Sequence, residues 1–387
     1  MKIVHIITRL IVGGAQENTL ITCRLLAERG HDVTLITGPA LGPEGQLFSQ
    51  TEGQKYGTYV IKELRRPIAP LKDYISYHKL KGMLEGLQPD IVHTHSAKGG
   101  ILGRRAAYHM GKHRPKIVHS VHGLSFHPYQ NPIINRLYVA IERATARYTD
   151  HFMTVADAMT SQSLAVGIGR DKPYTTAYSA IDEAPFLKPV SDSERRAFRE
   201  RHDIHEDATV LVCVARLFML KGHDYIIESA ASLARRFPQA LWLFVGDGNL
   251  TARYRQKINR MGLEDRFRFT GLLQPDEVPL AIKASDILVH CSLREGLART
   301  LPQAMLCSRP AISFDVDGAR EVVNDQTGRL VRPKQVGDLV EACAELIQDP
   351  ALRERLGRNG LEQVREKFAP ARMVDTIERV YRSLVRG

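Results

Sequence analysis

The feature that most constrains the fold is a regular alternation between short β-branched runs and helical segments. Residues 2–7 form a β-branched run, residues 15–29 carry apolar residues at helical spacing, and residues 32–37 form a second β-branched run. This order predicts a βαβ unit, in which a crossover helix joins two parallel strands. The alternation continues with predicted strands at 91–95, 116–121 and 151–155, and with predicted helices that begin near 99 and cover 133–148.

A second alternating series follows an interruption at residues 182–207, which contain two prolines and a charged helix. The interruption indicates a domain junction, because the periodicity of buried strands stops there and resumes afterwards. The predicted strands of the second series lie at 210–215, 241–245, 267–270, 287–290 and 311–314.

The expected fold class is therefore α/β, with two doubly wound, Rossmann-like domains at residues 1–185 and 186–370. Residues 371–387 contain an amphipathic helix, which needs a partner surface and is expected to pack back on the first domain. The two domains are expected to face each other across a cleft at the carboxyl ends of their strands, where doubly wound sheets bind ligands.

The composition is that of a globular protein with an excess of positive charge. The chain has 387 residues and a formal net charge of +11, from 54 Lys and Arg against 43 Asp and Glu. Basic proteins favour partners that carry phosphate, namely nucleic acid, anionic lipid or phosphorylated small molecules. Nucleic acid is disfavoured, because no known binding module is visible and the basic segments lack interleaved aromatic residues.

Cysteine usage and hydropathy indicate a cytoplasmic protein. The five cysteines are far apart and form neither a CxxC pair nor a metal-ligand spacing, so buried reduced thiols are expected. No apolar run approaches the roughly 20 residues that a membrane-spanning helix needs. The first residues also lack the pattern of a signal peptide.

Glycine and charged residues follow several predicted strands. Gly13 and Gly14 follow the first strand, where they either let the backbone approach an anion or make a simple tight turn. Arg216 and Lys221 follow the first strand of the second domain, where they either bind a diphosphate or are solvated surface charges. His122 ends another strand, either beside a ligand or as a hydrogen-bonded structural group.

Glu295 and Gln303 lie near the start of a helix predicted to begin close to Thr300. A loop carboxylate beside a helix N-terminus can bind sugar hydroxyls while backbone N–H groups hold it in place. The same placement is also an ordinary favourable charge pattern at a helix start.

Several segments, taken in order, resemble the retaining glycosyltransferases of family 4, which have the GT-B fold. The resemblance runs nearly end to end, and residues 93–96 are similar to those of members that build capsular, exopolysaccharide or O-antigen chains. The segments that carry it are 13–14, 93–104, 121–123, 216–222, 245–248, 295–305 and 318–323.

The resemblance implies a retaining hexosyl or N-acetylhexosaminyl transfer from a nucleotide-sugar, most simply a UDP-sugar, to a glycan or polyprenyl-linked acceptor. It implies no cofactor and no divalent metal. Arg216, Lys221 and Gly14 would bind the donor diphosphate, and His122 and Glu295 would lie at the reacting sugar. The other implied site residues are Gly296, Leu297 and Gln303 at the donor sugar and ribose, Gly246, Gly271 and Leu272 at the nucleotide, and His95, Ser96 and Lys98 on the acceptor side.

One departure from the family pattern concerns Gln303, which stands where the family has the second acid of an E-x7-E motif. In the family this acid binds the nucleotide ribose. Loss of one charge-assisted hydrogen bond is worth about 1 kcal/mol, so weaker donor binding is expected rather than lost chemistry. Two alternatives stay open, namely a catalytically weak GT-B partner subunit and a GT-B nucleotide-sugar epimerase.

Most of the positive charge lies in residues 62–116, where 12 basic and 4 acidic residues give a net charge of +8. The resemblance assigns this region to the acceptor side. It is therefore expected to favour an anionic membrane surface or a diphosphate-linked lipid, at about 1 kcal/mol per basic residue near the surface. The protein is expected to be peripheral on the cytoplasmic face, with Arg65, Arg66, Arg104 and Arg105 contributing.

Overall fold

The computed structural model describes residues 1–40 and 47–386, and these residues divide into two compact units. Unit 1 takes the described residues of Met1–Ala180 and Pro370–Gly387, and unit 2 takes Ile181–Ala369. The division after Ala180 lies slightly before the boundary expected at 185. Each unit contains its own parallel sheet flanked by helices, so the expected α/β class with two Rossmann-like domains is confirmed.

Unit 1 is built on seven parallel strands. They are β1 (Lys2–Ile7), β2 (Asp32–Thr37), β3 (Gly57–Val60), β4 (Ile91–His95), β5 (Lys116–Val121), β6 (His151–Thr154) and β7 (Tyr174–Thr176). Their order in the sheet is β3-β2-β1-β4-β5-β6-β7. The helices along the chain are α1 (Gly14–Glu28), α2 (Pro70–Leu87), α3 (Ala97–Tyr108), α4 (Pro132–Ala146) and α5 (Asp157–Ala165).

The C-terminal helix, Pro370–Arg386, also belongs to unit 1, where it packs against α1. Its apolar face carries Met373, Ile377 and Tyr381, which are buried in the core around β1. An amphipathic helix gains most of its stability from such a contact, because its apolar stripe leaves water only when a partner covers it.

Unit 2 repeats the architecture with six parallel strands. They are β8 (Thr209–Val214), β9 (Ala240–Val245), β10 (Phe267–Gly271), β11 (Ile287–His290), β12 (Ala311–Phe314) and β13 (Gly328–Val331), in the order β10-β9-β8-β11-β12-β13. Its helices are α6 (Ala184–Leu187), α7 (Asp192–Arg201), α8 (His223–Arg236), α9 (Thr251–Arg260), α10 (Val278–Lys283), α11 (Thr300–Leu306), α12 (Val336–Gln348) and α13 (Pro350–Lys367).

The strand order reverses direction once in each sheet, between β1 and β4 in unit 1 and between β8 and β11 in unit 2. At such a switch point the connections leave the strand ends on opposite sides, which opens a crevice at the carboxyl edge of the sheet. The polar residues that follow β1, β4, β8 and β11 are therefore the first candidates for a ligand site.

The five cysteines are buried and unpaired, as the sequence predicted. Burial raises the pKa of Cys213 and Cys307 to about 12, which keeps both thiols protonated and unreactive at neutral pH. Among the described residues, no helix is both long and apolar enough to cross a membrane.

Candidate functional site

The loop after β8 is held against the end of β11 in unit 2. Gly222 has a φ of +76°, and a Cβ atom there would lie 1.8 Å from the carbonyl oxygen of Cys291. Only glycine fits this position without moving the backbone. The Leu293 N–H donates to the Leu220 carbonyl at 2.8 Å, which fastens the two loops together. This contact brings Lys221 beside the loop that carries Glu295.

Lys221, Glu295 and His290 form an ionic cluster at the switch point of unit 2. Lys221 Nζ donates to Glu295 Oε1 at 2.5 Å, and His290 Nε2 lies 3.4 Å from the same oxygen. The Glu295 backbone N–H donates to Asp317 Oδ2 at 2.6 Å, which fixes the position of the loop. Burial alone would raise the pKa of Glu295, but Lys221 and His290 favour the carboxylate and hold it well below its usual range. Glu295 is therefore an anion that accepts hydrogen bonds and does not donate a proton.

Arg216 lies in the same loop as Lys221 but in a different environment. Its side chain is exposed, and its guanidinium stacks over the Phe218 ring at 5.2 Å from the centroid. Within residues 1–40 and 47–386, no carboxylate lies within ion-pair distance of it, whereas Lys221 is paired with Glu295. The loop therefore presents an uncompensated positive charge, as an anion-binding site requires.

The glycines expected at the nucleotide lie against this loop. The Gly246 N–H donates to the Gly271 carbonyl at 2.9 Å, which joins the ends of β9 and β10. The φ of Gly246 is +133°, and a Cβ atom there would lie 2.3 Å from the carbonyl oxygen of Ala215, the residue before Arg216. Leu272 follows with 68% of its surface exposed, so an apolar side chain stands free beside these glycines.

The residues expected at the donor sugar and ribose, which follow β11, differ in how far their side chains are exposed. Gln303 is half-buried on α11, and its side chain makes no hydrogen bond with the part of the chain that the structure describes. Leu297 is buried within unit 2, so its side chain is part of the core. The Gly296 carbonyl accepts from the Gly318 N–H at 3.3 Å. Any contribution of Leu297 to a ligand site is thus limited to its backbone.

The switch point of unit 1 holds a row of histidines. His122 Nε2 lies 2.9 Å from His95 Nδ1, and His95 Nε2 lies 2.9 Å from His5 Nδ1. His122 is half-buried, whereas His5 and His95 are buried. Burial lowers the pKa of His5 to about 3, and burial together with neighbouring histidines lowers the pKa of His95 well below its usual value. The buried imidazoles are therefore neutral.

The other residues expected on the acceptor side have internal partners. Ser96 Oγ lies 2.7 Å from Thr8 Oγ1, and Lys98 Nζ donates to both carboxylate oxygens of Asp73 at 2.7 and 2.9 Å. His95 is only 2% exposed, so it lies beneath His122 rather than at the surface where an acceptor would bind. Both ring nitrogens of His95 are therefore engaged in hydrogen bonds within unit 1.

Gly14 is the first residue of α1, where a helix N-terminus favours an anion. The preceding Gly13 has a φ of 172°, an extended conformation that any residue can adopt. An added Cβ at Gly13 would meet only the flexible side chain of Gln16, at 2.9 Å. Gly13 therefore does not serve a left-handed turn.

One group of residues in the described chain could hold a metal ion, namely His5, His93 and His95. The His5–His95 nitrogens are 2.9 Å apart, which is shorter than the roughly 3.3 Å between neighbouring ligands on a tetrahedral zinc ion. His93 uses its nitrogens in hydrogen bonds with Tyr381 and Ser120. The geometry is that of a hydrogen-bonded network.

Sequence reasoning missed three residues of these clusters: His5, His290 and Asp317. His5 pairs in register with His93 across β1 and β4, so the predicted βαβ order contained the signal for it. His290 ends β11 as a polar residue after an apolar run, which was a weaker signal. Nothing in the sequence pattern could place the Asp317 carboxylate on the backbone of Glu295.

Comparisons with known proteins find similarity over both units. The family model "Glycosyltransferase Family 4" matches residues 12–184, and "Glycosyl transferases group 1" matches residues 194–363. The putative glycosyltransferase EpsD of Bacillus subtilis is 29% identical over 322 residues, which cover 82% of each chain. The UDP-Gal:alpha-D-GlcNAc-diphosphoundecaprenol alpha-1,3-galactosyltransferase of Escherichia coli is 26% identical over 403 residues, covering 100% of this chain and 97% of that one.

Solved structures show the same fold. Anabaena Alr3699/HepE, in complex with UDP and glucose, superposes with a TM-score of 0.83 at 21% sequence identity, over 99% of this chain and 100% of that one. A sucrose-phosphate synthase from Thermosynechococcus elongatus superposes with a TM-score of 0.82 at 18% identity, over 99% and 98% of the two chains.

Proposed function

Because the chain belongs to the family 4 glycosyltransferases of the GT-B type, we propose that it moves a hexosyl or N-acetylhexosaminyl group from a UDP-sugar to a glycan acceptor with retained configuration. The single observation that carries the proposal is the Lys221–Glu295 pair at the switch point of unit 2, next to the unpaired Arg216. Together they offer cations for a diphosphate and an anionic acceptor for sugar hydroxyls.

The cations act on the leaving group. In the proposed step, the bond between the anomeric carbon and the diphosphate oxygen breaks, and the acceptor oxygen forms its bond on the same face. The acceptor proton passes to the leaving phosphate. Arg216 and Lys221 stabilise the charge that develops there, since donors already in position cost no reorganisation during the reaction. These two cations take the place of a divalent ion, so transfer is expected to persist in EDTA.

Glu295 serves the sugar rather than the proton transfer. As a carboxylate, it accepts hydrogen bonds from hydroxyl groups of the donor sugar while it keeps Lys221 oriented. Gln303 takes the ribose in this proposal, because its side-chain amide makes no hydrogen bond with the described residues and can both donate and accept. His122 and Gly14 are carried over from the family pattern as part of this proposal: His122 would contact the reacting sugar, and Gly14, the first residue of α1, would contact the phosphate.

The acceptor is proposed to be linked to a polyprenyl diphosphate. The Escherichia coli relative that matches the whole chain carries such an acceptor in its name, GlcNAc-diphosphoundecaprenol. A lipid-linked acceptor requires the enzyme to work at a membrane surface, and the outer surface of unit 1 has the composition for this.

The start of α2 carries exposed apolar residues among basic ones. Ile68, Leu71 and Tyr74 are 77%, 73% and 64% exposed, and Arg66 and Lys72 are exposed beside them in sequence. Leu71 and Tyr74 share one face of the helix because they are three residues apart. Apolar residues that enter the headgroup region and basic residues that meet anionic lipid are the two components of interfacial binding.

A second apolar patch lies on α4, where Ile133 and Leu137 are 74% and 55% exposed. Because α3 packs against both α2 and α4, the two patches belong to one helical layer of unit 1. The expectation that Arg104 contributes to this surface is wrong. Arg104 is buried, and its Nη2 donates to Glu142 at 3.0 Å, because it lies on the inward face of α3.

The donor part of the proposal is tested by titrating the full chain with UDP and a panel of UDP-sugars, followed by assays of hydrolysis and transfer in EDTA. We expect binding of UDP and slow hydrolysis of one donor. Absence of binding to every nucleotide-sugar would overturn the proposal. Binding without hydrolysis or transfer would instead support the partner-subunit alternative.

The membrane part is tested by flotation with vesicles of phosphatidylglycerol or of phosphatidylcholine alone. We expect salt-sensitive binding to the anionic vesicles, weakened by Arg66→Glu combined with Lys72→Glu. The control is Arg358→Glu combined with Arg365→Glu, which makes the same change in net charge at exposed positions of α13. Equal losses in the two double variants would show that net charge alone, and not this surface, attracts the lipid.

A further inference from the structure

The histidines of unit 1 form a chain that ends at a residue of the proposed site. His122, at the carboxyl end of β5, is hydrogen-bonded to His95 of β4, and His95 is hydrogen-bonded to His5 of β1. The three rings come from three adjacent strands of the sheet, β1, β4 and β5. His5 and His95 lie within their strands, and His122 is the residue just beyond the end of β5. The final nitrogen, His5 Nε2, is buried and has no partner among the described residues.

The order of protons along this chain is constrained because each neutral imidazole has one N–H and one acceptor nitrogen. If His122 donated to His95, and His95 to His5, the proton of His5 would lie on Nε2, a buried N–H with no acceptor. Buried N–H groups without a partner are rare in folded proteins. In the opposite order His5 donates from Nδ1, His95 donates from Nδ1, and His122 accepts at Nε2.

We propose that His5 and His95 act as positioning residues that fix His122 in one tautomer, with its proton on Nδ1 and its Nε2 accepting from His95. His122 then presents an N–H donor on the side of the ring away from the chain. This inference rests on the proposed function for its purpose, which is to supply an N–H donor for a sugar hydroxyl. The tautomer itself is a property of unit 1 alone.

The surroundings of the three histidines favour this tautomer over an arrangement in which an interior ring is protonated and charged. Burial lowers the pKa of both interior rings, so neither holds a second proton at neutral pH. His93, next to both in space, has its own partners in Ser120 and Tyr381 and does not interrupt the chain. A carboxylate hydrogen-bonded to a histidine sets the tautomer in other enzymes by its charge. In this row of histidines, the burial of His5 would set the tautomer without any charged group.

The tautomer is measured directly on the full chain labelled with ¹⁵N-histidine, because long-range ¹H–¹⁵N spectra separate protonated from unprotonated ring nitrogens. Signals are assigned with single histidine variants. We expect His122 as the Nδ1–H tautomer. His5→Asn retains a donor at the Nδ1 position and is expected to keep this tautomer, whereas His5→Leu removes the donor and is expected to give a mixture of both tautomers.

Kinetics provide the second readout. In His5→Leu we expect kcat to fall about tenfold, the effect of one misdirected hydrogen bond, with the KM for the UDP-sugar changed less than about twofold. His5→Asn is expected to restore kcat. The matched control is His119→Leu. His119 is also a buried histidine, but its hydrogen bond is to Thr94, on the opposite face of the sheet from the three rings.

Three results would overturn the assignment. They are an Nε2–H tautomer of His122 in the wild type, an unchanged His122 signal and kcat in His5→Leu, and a stoichiometric metal ion in the purified protein that His5→Asn removes. If His5→Leu does not fold, the wild-type and His5→Asn spectra still decide the tautomer. An enzyme that transfers no sugar but shows the Nδ1–H tautomer would refute the proposed function and leave the tautomer assignment standing.

Discussion

The two units place polar clusters at equivalent points of their sheets but give them opposite electrostatic character. In unit 1, His5 and His95 are buried and neutral at the β1–β4 switch point. In unit 2, Lys221 and Glu295 are charged and partly exposed at the β8–β11 switch point. The same topology therefore carries a buried, neutral cluster in one unit and a partly exposed, charged cluster in the other.

The difference follows from where the residues lie along the chain. His5 and His95 are within strands, where a permanent charge would be costly to bury and an imidazole avoids that cost by losing its proton. Lys221 and Glu295 are in loops beyond the strand ends, where each charge keeps some solvent and gains a partner. Strand positions thus select neutral polar groups, and loop positions permit ions.

The largest effect is expected when the charged cluster of unit 2 is broken. Lys221→Ala should lower kcat/KM by about 10²–10³-fold, the range seen when a group that stabilises developing charge is removed. Arg216→Ala should cost less, because its exposed guanidinium is screened by water. Steady-state kinetics with the preferred UDP-sugar measure both effects.

The control is Lys257→Ala, which removes a lysine paired with Asp224 and Glu228 on the outer helices of the same unit. Its kcat/KM should stay within about twofold of the wild type. If Lys257→Ala and Lys221→Ala lowered activity equally, the loss would reflect stability or net charge, and the ionic cluster would have no special role.

The pH dependence of activity provides a second test of the contrast. Because the pKa of wild-type Glu295 lies well below its usual range, lowering the pH from 7 to 5 should not protonate it. Lys221→Ala removes a strong favourable interaction with the carboxylate while burial remains, so the pKa should rise and an acid limb should appear in kcat/KM above about pH 5. The double variant Lys221→Ala, Glu295→Gln should lack this limb. An identical limb in all three proteins would assign it to another group.

Unit 1 keeps its own buried ionic cluster away from the switch point, under the C-terminal helix. Glu378 accepts from Arg29 Nη1 at 2.8 Å, and His31 Nε2 lies 3.1 Å from the other carboxylate oxygen. Burial would raise the pKa of Glu378, but hydrogen bonds from Arg382, Arg29 and His31 lower it to about 2. The carboxylate therefore stabilises the fold above its ordinary pKa of about 4.3, and this contribution is lost as the pH falls towards 2.

Glu378→Gln should lower the free energy of unfolding by about 1–2 kcal/mol at pH 7, and the difference from the wild type should shrink below about pH 4. Trp242 is the only tryptophan and lies in unit 2, so its fluorescence follows that unit, whereas far-UV circular dichroism follows both. We expect a shift of the urea transition in circular dichroism. A shift confined to the Trp242 signal would contradict the assignment. Glu341→Gln, which removes an exposed partner of Arg236, should change stability by under about 0.5 kcal/mol.

The sequence predicted the parts of the fold that depend on local pattern. The alternation of buried runs and helices predicted the two parallel sheets, because strands such as β1 and β4 are buried along their whole length. It did not predict β3, β7 or β13, which are short strands at the edges of their sheets without a fully buried pattern. The basic residue Arg104 was expected on the surface, because its sequence neighbours do not reveal which face of α3 turns inward.

The site likewise had a part that the sequence could predict and a part that it could not. Loop residues such as Lys221 could be placed from the strand that precedes them, since parallel strands deliver their following loops to one edge. The partner of each side chain depends on register and on contacts between distant loops. The Asp317 carboxylate reaches the Glu295 N–H across 22 positions of sequence, and no periodicity encodes such a contact.

The smallest expected effect concerns Gln303, a neutral amide in unit 2, the unit whose switch-point cluster is charged. Gln303→Glu would supply a carboxylate for the ribose hydroxyls, and the Kd for UDP should fall by up to about threefold or stay the same. Calorimetric titration with UDP and with the UDP-sugar measures the change, and Gln303→Ala serves as the control that removes both hydrogen-bonding groups. A large loss of affinity in Gln303→Glu, similar to that of Gln303→Ala, would show that the amide acts as a donor. Donor binding in unit 2 would then need a neutral group beside its charged ones. The contrast between a neutral cluster in unit 1 and a charged cluster in unit 2 would be weaker than the two switch points indicate.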